Sequence, residues 1–368
     1  MRVLFLTPLY IPWVGGLENF VRQLSRTLQA RGHEVAIITS HGREAAAGLD
    51  EVDNVPVRRI SAHDVVRAQD AAGILRAQVD IVNFARRFAP DVVHSHDPGP
   101  VLWLYHRAAR RDARPLMVTL HNTMTRAAER ESLPVLAKLI DRADWVTGVS
   151  EAVVDDALTY APSVASRISV IRNGVVPESE ASPVPDGPPR LLCIGRLVEQ
   201  KGFDLAIAAL AMLRSRHPSA RLTIAGDGPE GARLVALASD LDVADRVEFL
   251  GIVDRAGIAR LLRETTVVVM PSRYEGFPLV ALEAAWAGRP VIASEAPGLA
   301  EAVRRTESGI IVPGEDVGAL AGAIDELVSD RERARALGRR ARAMAGEQYA
   351  IGPCVDAYER LYHRLMAT

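Results

Sequence analysis

Residues 1–39 read MRVLFLTPLYIPWVGGLENFVRQLSRTLQARGHEVAIIT, and this stretch decides the fold prediction. Val3–Thr7 is an apolar run typical of a strand that is buried on both faces of a parallel sheet. A loop rich in proline and glycine follows at Pro8–Gly16, and Leu17–Arg31 has the apolar spacing of a helix. A glycine then ends the helix, and Val35–Thr39 predicts a second strand. The stretch is therefore a βαβ unit with parallel strands.

The same alternation of strand and helix patterns continues along the chain and starts again at Arg190. Further strands are predicted at Asp91–His94, Leu116–Leu120, Trp145–Val149, Leu191–Ile194, Arg221–Ala225, Val247–Leu250, Val267–Met270 and Val291–Ala293, with helices at Phe203–Arg216 and Glu230–Asp240. A strand-free, Pro-rich stretch at Pro177–Pro189 is the expected linker. The pattern predicts two doubly wound α/β domains that face each other across a cleft, over residues 1–180 and 181–350.

Composition excludes several classes of protein. The chain has 368 residues, 48% hydrophobic and 24% charged, with a formal net charge of −2. These fractions exclude a disordered or fibrous chain, and the near-neutral charge argues against nucleic-acid binding. No uncharged apolar run reaches the ~18 residues of a membrane-spanning helix, and two cysteines are too few for a disulfide scaffold or a cysteine zinc site. Because the N-terminal run lacks a cleavage site, it is interpreted as a buried strand and not as a secretion signal, and a cytoplasmic protein is expected.

Two glycines follow the first predicted strand, where the loop turns into a helix. Gly15 and Gly16 would let the backbone approach a ligand closely, and the free amides of a helix start attract anions. A tight turn without a ligand is the alternative interpretation of this loop.

Two cations lie five residues apart in the loop after the strand Leu191–Ile194. Arg196 offers a planar fork for phosphate oxygens and Lys201 a compact charge, so both could converge on one polyanion. Lys201 is also one of only two lysines among 44 basic residues, although the preference for arginine is explained mainly by genome composition. The alternative is a pair of solvated surface cations.

Two glutamates flank the start of the helix that follows the buried strand Val267–Met270. Glu275 is expected in the loop and Glu283 a turn or more inside the helix, with Pro278 in the helix's first turn. The first amides of that helix would face the cleft, where they could bind phosphate. An apolar helix is an expensive place for Glu283 unless it has a partner such as a ribose hydroxyl pair. Local salt bridges or caps are the alternative for both glutamates.

Five short motifs, in this order, resemble those of the retaining GT-B glycosyltransferases, specifically glycosyltransferase family 4. They are Gly15-Gly16-Leu17-Glu18 as the N-terminal glycine loop, Asn173-Gly174 as the interdomain entry, Gly195-Arg196 with Lys201-Gly202 as the diphosphate clamp, Gly226-Asp227-Gly228-Pro229 as the turn beside the nucleotide, and Glu275 with Glu283 as the E-x7-E motif. The resemblance extends over nearly the whole chain. It implies a GT-B fold of two Rossmann-like domains, with a C-terminal helix, residues 351–368, that crosses back to the N-terminal domain.

The resemblance also implies a role for each matching residue. Arg196 and Lys201 would bind the diphosphate and stabilise its charge as it leaves. Glu275 would hydrogen-bond the donor sugar, and Glu283 would hold the ribose. His121 would lie by the anomeric centre and the sugar O6. Further donor-binding residues are expected at Gly15, Gly16, Gly226, Val253, Gly276, Phe277, Pro278 and Leu279, and acceptor-side residues at Glu18, His96, Asn122 and Asn173.

Two other features of the sequence are assigned no function. The run His94-Ser95-His96-Asp97 could suggest a metal site, but without cysteine or a further carboxylate cluster no metal or other cofactor is expected. The basic stretch Trp103–Arg114 could form an anionic-membrane face together with Arg86, Arg87, Arg126 and Arg130. A solvated helix face is preferred, and contact with the inner membrane face stays open.

The sequence therefore predicts a retaining, metal-independent glycosyltransferase. The donor would be a nucleotide diphosphate sugar carrying a hexose or N-acetylhexosamine, with UDP preferred to GDP on family frequency, and the acceptor hydroxyl is unidentified. A nucleotide-sugar 2-epimerase of the same fold and a non-catalytic sugar-nucleotide-binding protein are the alternatives.

Overall fold

The computed structural model describes residues 1–13, 15–40, 47–109, 114–127, 132–177 and 182–367, without the side chains of residues 126 and 127. Several residues used in the sequence predictions lie outside this description: Val14, residues 110–113, Arg130, residues 178–181 and the Arg126 side chain. The chain divides into two compact units. Unit 1 comprises Met1–Asn173 with Ile351–Thr368, and unit 2 comprises Gly174–Ala350.

The boundary between the units lies at Asn173/Gly174, not between residues 180 and 181. The residues that follow it belong to unit 2 because Val175 donates its backbone N–H to the Tyr349 carbonyl at 2.8 Å. The fully buried guanidinium of Arg289 also donates to the carbonyls of Ser182, at 2.6 Å, and Pro183, at 2.9 Å. The described part of the Pro-rich stretch is thus anchored to unit 2.

Unit 1 is built on an eight-stranded sheet with the strand order β3-β4-β2-β1-β5-β6-β7-β8. The strands are β1 (Arg2–Thr7), β2 (Glu34–Ser40), β3 (Gly48–Val52), β4 (Val55–Ile60), β5 (Val92–His96), β6 (Leu116–Leu120), β7 (Trp145–Gly148) and β8 (Ile168–Val170). Neighbouring strands are parallel except β3 and β4. The central strands are buried on both faces, which explains their continuous apolar runs.

The described helices of unit 1 cover this sheet. They are α1 (Gly16–Ala30), α2 (Ala62–Arg67), α3 (Ala71–Phe88), α4 (Pro100–Ala108), α5 (Met124–Ala127), α6 (Leu133–Asp141), α7 (Glu151–Tyr160) and, after unit 2, α15 (Ile351–Met366). Helix α1 forms because Phe20, Val21, Leu24 and Leu28 recur on one face, and all four are buried.

The C-terminal helix α15 is part of unit 1. Tyr362 is fully buried, and its hydroxyl lies 2.7 Å from His94 Nδ1 on β5. Arg31, which follows α1, forms an ion pair with Asp356 at 2.6 Å. The helix is therefore bonded both to the interior of the sheet and to α1.

Unit 2 is built on a six-stranded parallel sheet with the order β11-β10-β9-β12-β13-β14. Its strands are β9 (Arg190–Ile194), β10 (Arg221–Ala225), β11 (Val247–Gly251), β12 (Val267–Met270), β13 (Val291–Ser294) and β14 (Gly309–Val312). Its helices are α8 (Phe203–Met212), α9 (Gly231–Asp240), α10 (Arg255–Glu264), α11 (Leu279–Trp286), α12 (Pro297–Thr306), α13 (Val317–Ser329) and α14 (Arg331–Gln348). The core of the unit lies between the sheet and these helices.

Each sheet has one place where the strand order reverses. In unit 1 the chain runs from β1 outward on one side and returns with β5 on the other side of β1. In unit 2 it runs from β9 through β10 to β11 and returns with β12 on the other side of β9. Ligands of open α/β sheets bind at the carboxyl ends of the strands beside such a switch point. The loops after β1 and β5, and after β9 and β12, therefore locate the candidate sites.

Most strand predictions agree with the structure within two residues, but several boundaries and elements differ. The helix predicted to reach Arg216 ends at Met212, and the strand predicted to end at His94 continues to His96. The antiparallel hairpin of β3 and β4 was not predicted, because it carries polar residues and a proline in place of an apolar run.

Candidate active site

The loop that carries Arg196 is bonded to the turn after the neighbouring strand. Gly195 donates its N–H to the Ala225 carbonyl at 3.0 Å, and Leu197 donates to the Asp227 carbonyl at 2.9 Å. At Gly226, φ is +146°, and a Cβ there would come within 1.9 Å of the Gly195 carbonyl oxygen. Only glycine permits this close approach. The predicted nucleotide turn is thus what positions the loop of Arg196.

The two predicted clamp cations have different surroundings. The Arg196 side chain is exposed and makes no ion pair within the described part of the chain. Lys201 ends a short 3₁₀ turn after β9, and its Nζ lies 2.6 Å from Oε1 of Glu275, in the loop after β12. The two side chains of this pair are 20% and 7% exposed. Lys201 is therefore not a solvated surface cation, and its charge is matched by a carboxylate 74 residues away.

Glu275 is held from two sides through one oxygen. Besides Lys201, the hydroxyl of Ser272 donates to Oε1 at 2.9 Å. The other oxygen, Oε2, has no hydrogen-bond partner among the residues that the structure describes. The hydrogen bonds from Lys201 and Ser272 to the charged Oε1 are strong and hold the carboxylate in one orientation. One acceptor oxygen of Glu275 therefore stays available at the switch point of unit 2.

Residues that the sequence analysis did not select hold the Glu275 loop against the loop after β9. Arg273 forms two hydrogen bonds to the Asp204 carboxylate, at 3.1 and 3.0 Å, and its backbone N–H donates to the Gln200 carbonyl at 2.8 Å. The Gln200 amide in turn donates to the Tyr274 carbonyl at 3.0 Å. Burial opposes ionisation of Asp204, but the hydrogen bonds and charge of Arg273 outweigh it and lower its pKa. No spacing in the sequence links Arg273 to Asp204.

Helix α11 begins one residue later than predicted. Pro278 has φ −74° and ψ 128°, which is an extended conformation, so it is the N-cap residue and not part of the first turn. No described side chain caps this end of the helix. Phe277 and Leu279 are buried, so their backbone rather than their side chains would have to contact a ligand. Glu283 lies one turn inside α11 and is partly buried.

The structure shows where Gly276 and Val253, two further predicted donor-binding residues, lie in unit 2. Gly276 lies against the start of α12, where a Cβ on Gly298 would be 1.7 Å from the Gly276 carbonyl oxygen. Val253 follows β11 and precedes Asp254, the N-cap of α10. β11 is the edge strand beyond β10, so Val253 is not adjacent to the switch point.

In unit 1, the glycine loop leads directly into α1. Gly15 is the N-cap, and a Cβ there would lie 2.4 Å from the Glu18 carboxylate, which therefore folds back over the loop. A negative charge in this position is favourable near the positive end of the helix. A Cβ on Gly16, by contrast, would meet nothing within 4 Å, so space is open beside this residue.

The structure places His96, which was predicted on the acceptor side, away from the surface of unit 1. The His96 side chain is fully buried inside unit 1, where the rings of Phe5 and His94 lie 4.9 and 4.1 Å from it. Alternation along a strand predicts which face a side chain is on, but not that α15 covers this face. His96 Nδ1 is 3.1 Å from Nε2 of His121, the residue predicted to lie by the anomeric centre.

His121 is also positioned through its backbone. Its N–H donates to Oδ1 of Asp97 at 2.7 Å, and Asp97 has φ +70°. Burial raises the pKa of Asp97 to about 7, although the bond from His121 partly offsets this effect. Burial lowers the pKa of His121 to about 3, so the imidazole is neutral at pH 7. Asn122 is partly exposed beside His121, and Asn173 is buried at the end of unit 1.

Comparison with known proteins now decides the family. Residues 14–179 match the model of Glycosyltransferase Family 4, and residues 177–344 match that of Glycosyl transferases group 1. A glycogen synthase from Mycobacterium tuberculosis is 35% identical, over 93% of this chain and 89% of that protein. The chain belongs to glycosyltransferase family 4. A D-inositol 3-phosphate glycosyltransferase from Mycolicibacterium smegmatis is 33% identical, over 96% of this chain and 87% of that protein.

Solved structures of glycosyltransferases share the fold of this family 4 member. A sucrose-phosphate synthase from Thermosynechococcus elongatus is 24% identical over the whole of both chains, with a TM-score of 0.87. The Anabaena protein HepE, in complex with UDP-glucose, is 22% identical over 99% of this chain and all of that protein, with a TM-score of 0.82. These likenesses confirm the prediction of a GT-B fold with two parallel-sheet α/β domains.

Within the described residues, no group of three or more histidine, cysteine, aspartate and glutamate side chains has the arrangement of a metal site. The ring nitrogens of His94 lie within hydrogen-bond distance of the Tyr362 and Thr119 hydroxyls, and Nδ1 of His96 lies within that distance of His121. None of the helices in the described part of this glycosyltransferase has the length and apolar character needed to span a membrane.

Proposed function

We propose that this family 4 glycosyltransferase transfers a hexose or N-acetylhexosamine from a UDP-linked donor to an acceptor hydroxyl, with retention of anomeric configuration and without a metal ion. The observation that carries the proposal is the 2.6 Å contact between Lys201 Nζ and Glu275 Oε1. It joins the two loops at the switch point of unit 2, where α/β sheets bind nucleotides.

The charges at this point suit a sugar diphosphate. A diphosphate beside the Glu275 carboxylate would be repelled, but Lys201 lies against that carboxylate and offsets its charge. Arg196, exposed on a loop held by the Gly226 turn, can then supply a second cation for the departing diphosphate. The uncapped first amides of α11, at Leu279 and Val280, favour phosphate in the same way.

The sugar and ribose contacts follow from the same arrangement. Glu275 Oε2 is left as an acceptor for a hydroxyl of the donor sugar, while Oε1 is held by Lys201 and Ser272. Glu283, one turn into α11, is assigned to the ribose. His121 is assigned to the region of the anomeric centre, where a neutral imidazole can donate or accept one hydrogen bond. With no protein nucleophile assigned, the departing phosphate is proposed to assist removal of the acceptor proton.

The names of the relatives point to different reactions, since one is a glycogen synthase and another a D-inositol 3-phosphate glycosyltransferase. The two relatives have similar sequence identity to this chain, so the comparison favours neither reaction. A hydroxyl of a glycan or of a small polyol phosphate is therefore the acceptor class to test first. The cytoplasmic location expected from the sequence stays a prediction.

A thermal-shift screen tests the donor assignment. UDP, GDP, ADP and their glucose conjugates are added to the protein in EDTA and in magnesium, because a ligand of the native state raises the melting temperature. We expect UDP and UDP-glucose to stabilise the protein equally in both conditions. Stabilisation only with magnesium would contradict metal independence, and stabilisation by no nucleotide would contradict the donor site.

Product analysis tests the reaction. UDP-glucose is incubated alone, with a maltooligosaccharide and with inositol 3-phosphate, and each product is examined by NMR of its anomeric proton. The proposal predicts transfer with an α-linked product from the α-linked donor. A β-linked product would contradict retention. Conversion of UDP-glucose to an epimer without acceptor would favour the 2-epimerase, and binding without any turnover would favour a non-catalytic binding protein.

A further inference from the structure

The buried imidazole of His96 has a hydrogen-bond partner at one ring nitrogen and, in the part of the chain that the structure describes, none at the other. Its Nδ1 lies 3.1 Å from Nε2 of His121. Its Nε2 is buried and has no hydrogen-bond partner within the described residues. The ring centroids of Phe5 and Phe20 lie 4.9 and 6.1 Å from the centroid of the His96 imidazole, and both ring planes are nearly perpendicular to it. The two ring nitrogens of His96 therefore have different surroundings, and this difference determines which nitrogen of each histidine carries its proton.

Both histidines are neutral at pH 7, because burial lowers the pKa of His121 to about 3 and that of His96 well below its usual value. Each ring then carries one proton, and one proton lies between the two nitrogens that face each other. Two arrangements satisfy this count. In the first, His96 donates through Nδ1–H, its Nε2 is a bare lone pair, and His121 carries its own proton on Nδ1. In the second, His121 donates through Nε2–H, and His96 carries its proton on Nε2.

The first arrangement costs less. In the second, the Nε2–H of His96 would be a buried donor without an acceptor, and such orphaned N–H groups are rare in folded proteins. In the first, only an acceptor lone pair is left unpaired at that position, which proteins tolerate more often. We propose that His96 is a positioning residue that holds His121 in the tautomer with hydrogen on Nδ1, so that His121 presents a neutral N–H donor to the ligand.

The same short segment also fixes the His121 backbone. Asp97, the residue after His96, accepts the His121 backbone N–H at 2.7 Å. The end of β5 thus sets both the main chain and the tautomer of a residue at the end of β6. An Nδ1–H donor selects an oxygen lone pair, such as that of a sugar hydroxyl or a phosphate. This consequence for ligand choice rests on the proposed function, whereas the tautomer itself does not.

The tautomer can be measured directly on the wild-type protein. Long-range ¹H–¹⁵N NMR of histidine-labelled protein distinguishes a protonated ring nitrogen from a bare one, and the spectrum of His121→Gln identifies the His121 signals. We expect hydrogen on Nδ1 and a bare Nε2 in His121. Hydrogen on Nε2 of His121 would overturn the proposal. Because the measurement needs no substrate, it stands or falls separately from the glycosyltransferase assignment.

A matched pair of variants tests the role of His96. His96→Asn keeps a donor near the position of Nδ1, whereas His96→Leu has a similar branched shape and no donor. We expect the leucine variant to lose the Nδ1–H preference of His121 and about tenfold or more in kcat/KM, and the asparagine variant to recover part of both. Equal NMR spectra and equal activities in the two variants would contradict the proposal.

Tyr362→Phe is the control for general damage to the same cluster. It removes the hydroxyl that bonds His94 Nδ1 at 2.7 Å but leaves the His96–His121 contact in place. The His121 tautomer is expected to be unchanged in this variant. A tautomer change in Tyr362→Phe as large as that in His96→Leu would show that loosening of the core, and not His96, controls the tautomer. If both His96 variants fail to fold, the wild-type spectrum alone decides.

Discussion

The carboxyl ends of the two sheets are built in different ways. In unit 2, the strand ends at the switch point carry charged residues, with Lys201 bonded to Glu275 and Arg273 bonded to Asp204. In unit 1, the corresponding end carries neutral imidazoles, and His96 and His121 are bonded in the interior. Charge at a ligand site costs little where loops are partly exposed, whereas deep burial favours neutral groups. The comparison suggests that unit 2 binds anionic ligand groups and unit 1 supplies directed hydrogen bonds.

The largest effect is expected from the carboxylate of unit 2. Glu275→Gln removes the charge and the free acceptor Oε2 assigned to the donor sugar. We expect kcat/KM to fall by about 10²–10³-fold, while UDP binding stays within a few-fold of wild type. Steady-state kinetics and calorimetry measure the two quantities.

Glu315→Gln is the control for Glu275→Gln. Glu315, in the loop after β14, forms an ion pair with Arg273 at 2.8 Å and is 59% exposed. Its activity should be close to wild type. Turnover that is unchanged in Glu275→Gln, or lost equally in both variants, would remove Glu275 from the site.

The next largest effect concerns the cation of the same pair. Lys201→Met removes one positive charge from the proposed diphosphate site and leaves Glu275 with Ser272 as its remaining partner. We expect the dissociation constant for UDP to rise by roughly 10–100-fold, as is typical of a lost hydrogen bond to a charged group.

The chain offers a matched control for this variant, because its only other lysine is Lys138, exposed on α6. Lys138→Met should bind UDP as wild type does. Equal affinity for UDP in the two lysine variants would remove Lys201 from the proposed diphosphate site.

The part of unit 1 around His96 and His121 should respond to pH in a defined direction. The folded-state pKa of Asp97 is raised to about 7, above its ordinary value of 3.8. Between these values the folded state holds a proton that the unfolded state has lost, so the stability contributed by this group falls as pH rises and stops falling above pH 7. Asp97→Asn retains the acceptor for the His121 N–H without this titration. Relative to wild type, the free energy of unfolding of Asp97→Asn should gain about 2.5 kcal/mol from pH 5 to pH 8.

Urea titrations of both proteins at pH 5, 6, 7 and 8 measure this difference, in which the contribution of the histidines cancels. Asp50→Asn is the control, since the hydrogen bonds of Arg59 lower the Asp50 pKa. A lowered folded-state pKa confers stability above pH 3.8 that is lost only at lower pH, so this control should be flat from pH 5 to pH 8. A flat difference for Asp97→Asn as well would contradict the assignment of a protonated, buried Asp97.

The smallest effect is expected where α15 bonds the sheet of unit 1. Tyr362→Phe removes a 2.7 Å bond to His94, and Tyr358→Phe removes a hydroxyl that is 3.5 Å from Thr119 Oγ1. Both tyrosines are fully buried on the same helix. We expect Tyr362→Phe to lower the free energy of unfolding by about 1 kcal/mol and Tyr358→Phe to lower it by less. The reverse order in chemical denaturation would contradict the bonding pattern.

Local patterns were sufficient for most of the fold. The apolar run Val3–Thr7 predicts β1, because a strand buried on both faces of a parallel sheet consists mainly of apolar residues. The helical spacing of apolar residues after it predicts α1. The hairpin of β3 and β4 could not be predicted in this way. Its buried Arg59 is stabilised by Asp50, on the paired strand, and by the Ile11 carbonyl, 48 residues away, and neither partner is indicated by the local pattern.

The sequence selects candidate site residues but does not predict their bonding partners. Strand ends and family motifs selected Lys201, Glu275 and His121, yet the Lys201–Glu275 pair joins residues 74 positions apart. His96 was assigned to the acceptor because it follows the same strand-end rule. Its ring is enclosed by those of Phe5, Phe20 and His121, which come from other elements of the fold. Contacts of this range are a property of the tertiary structure and have no local signal.

The most direct test of the central claim is a calorimetric titration of UDP into wild type, Lys201→Met and Lys138→Met, all in EDTA. The account predicts saturable binding of UDP to wild type, with a dissociation constant between about 1 μM and 1 mM. Lys138→Met should bind equally well and Lys201→Met more weakly. If UDP and GDP both fail to bind wild type at millimolar concentration, the switch point between β9 and β12 is not a nucleotide site.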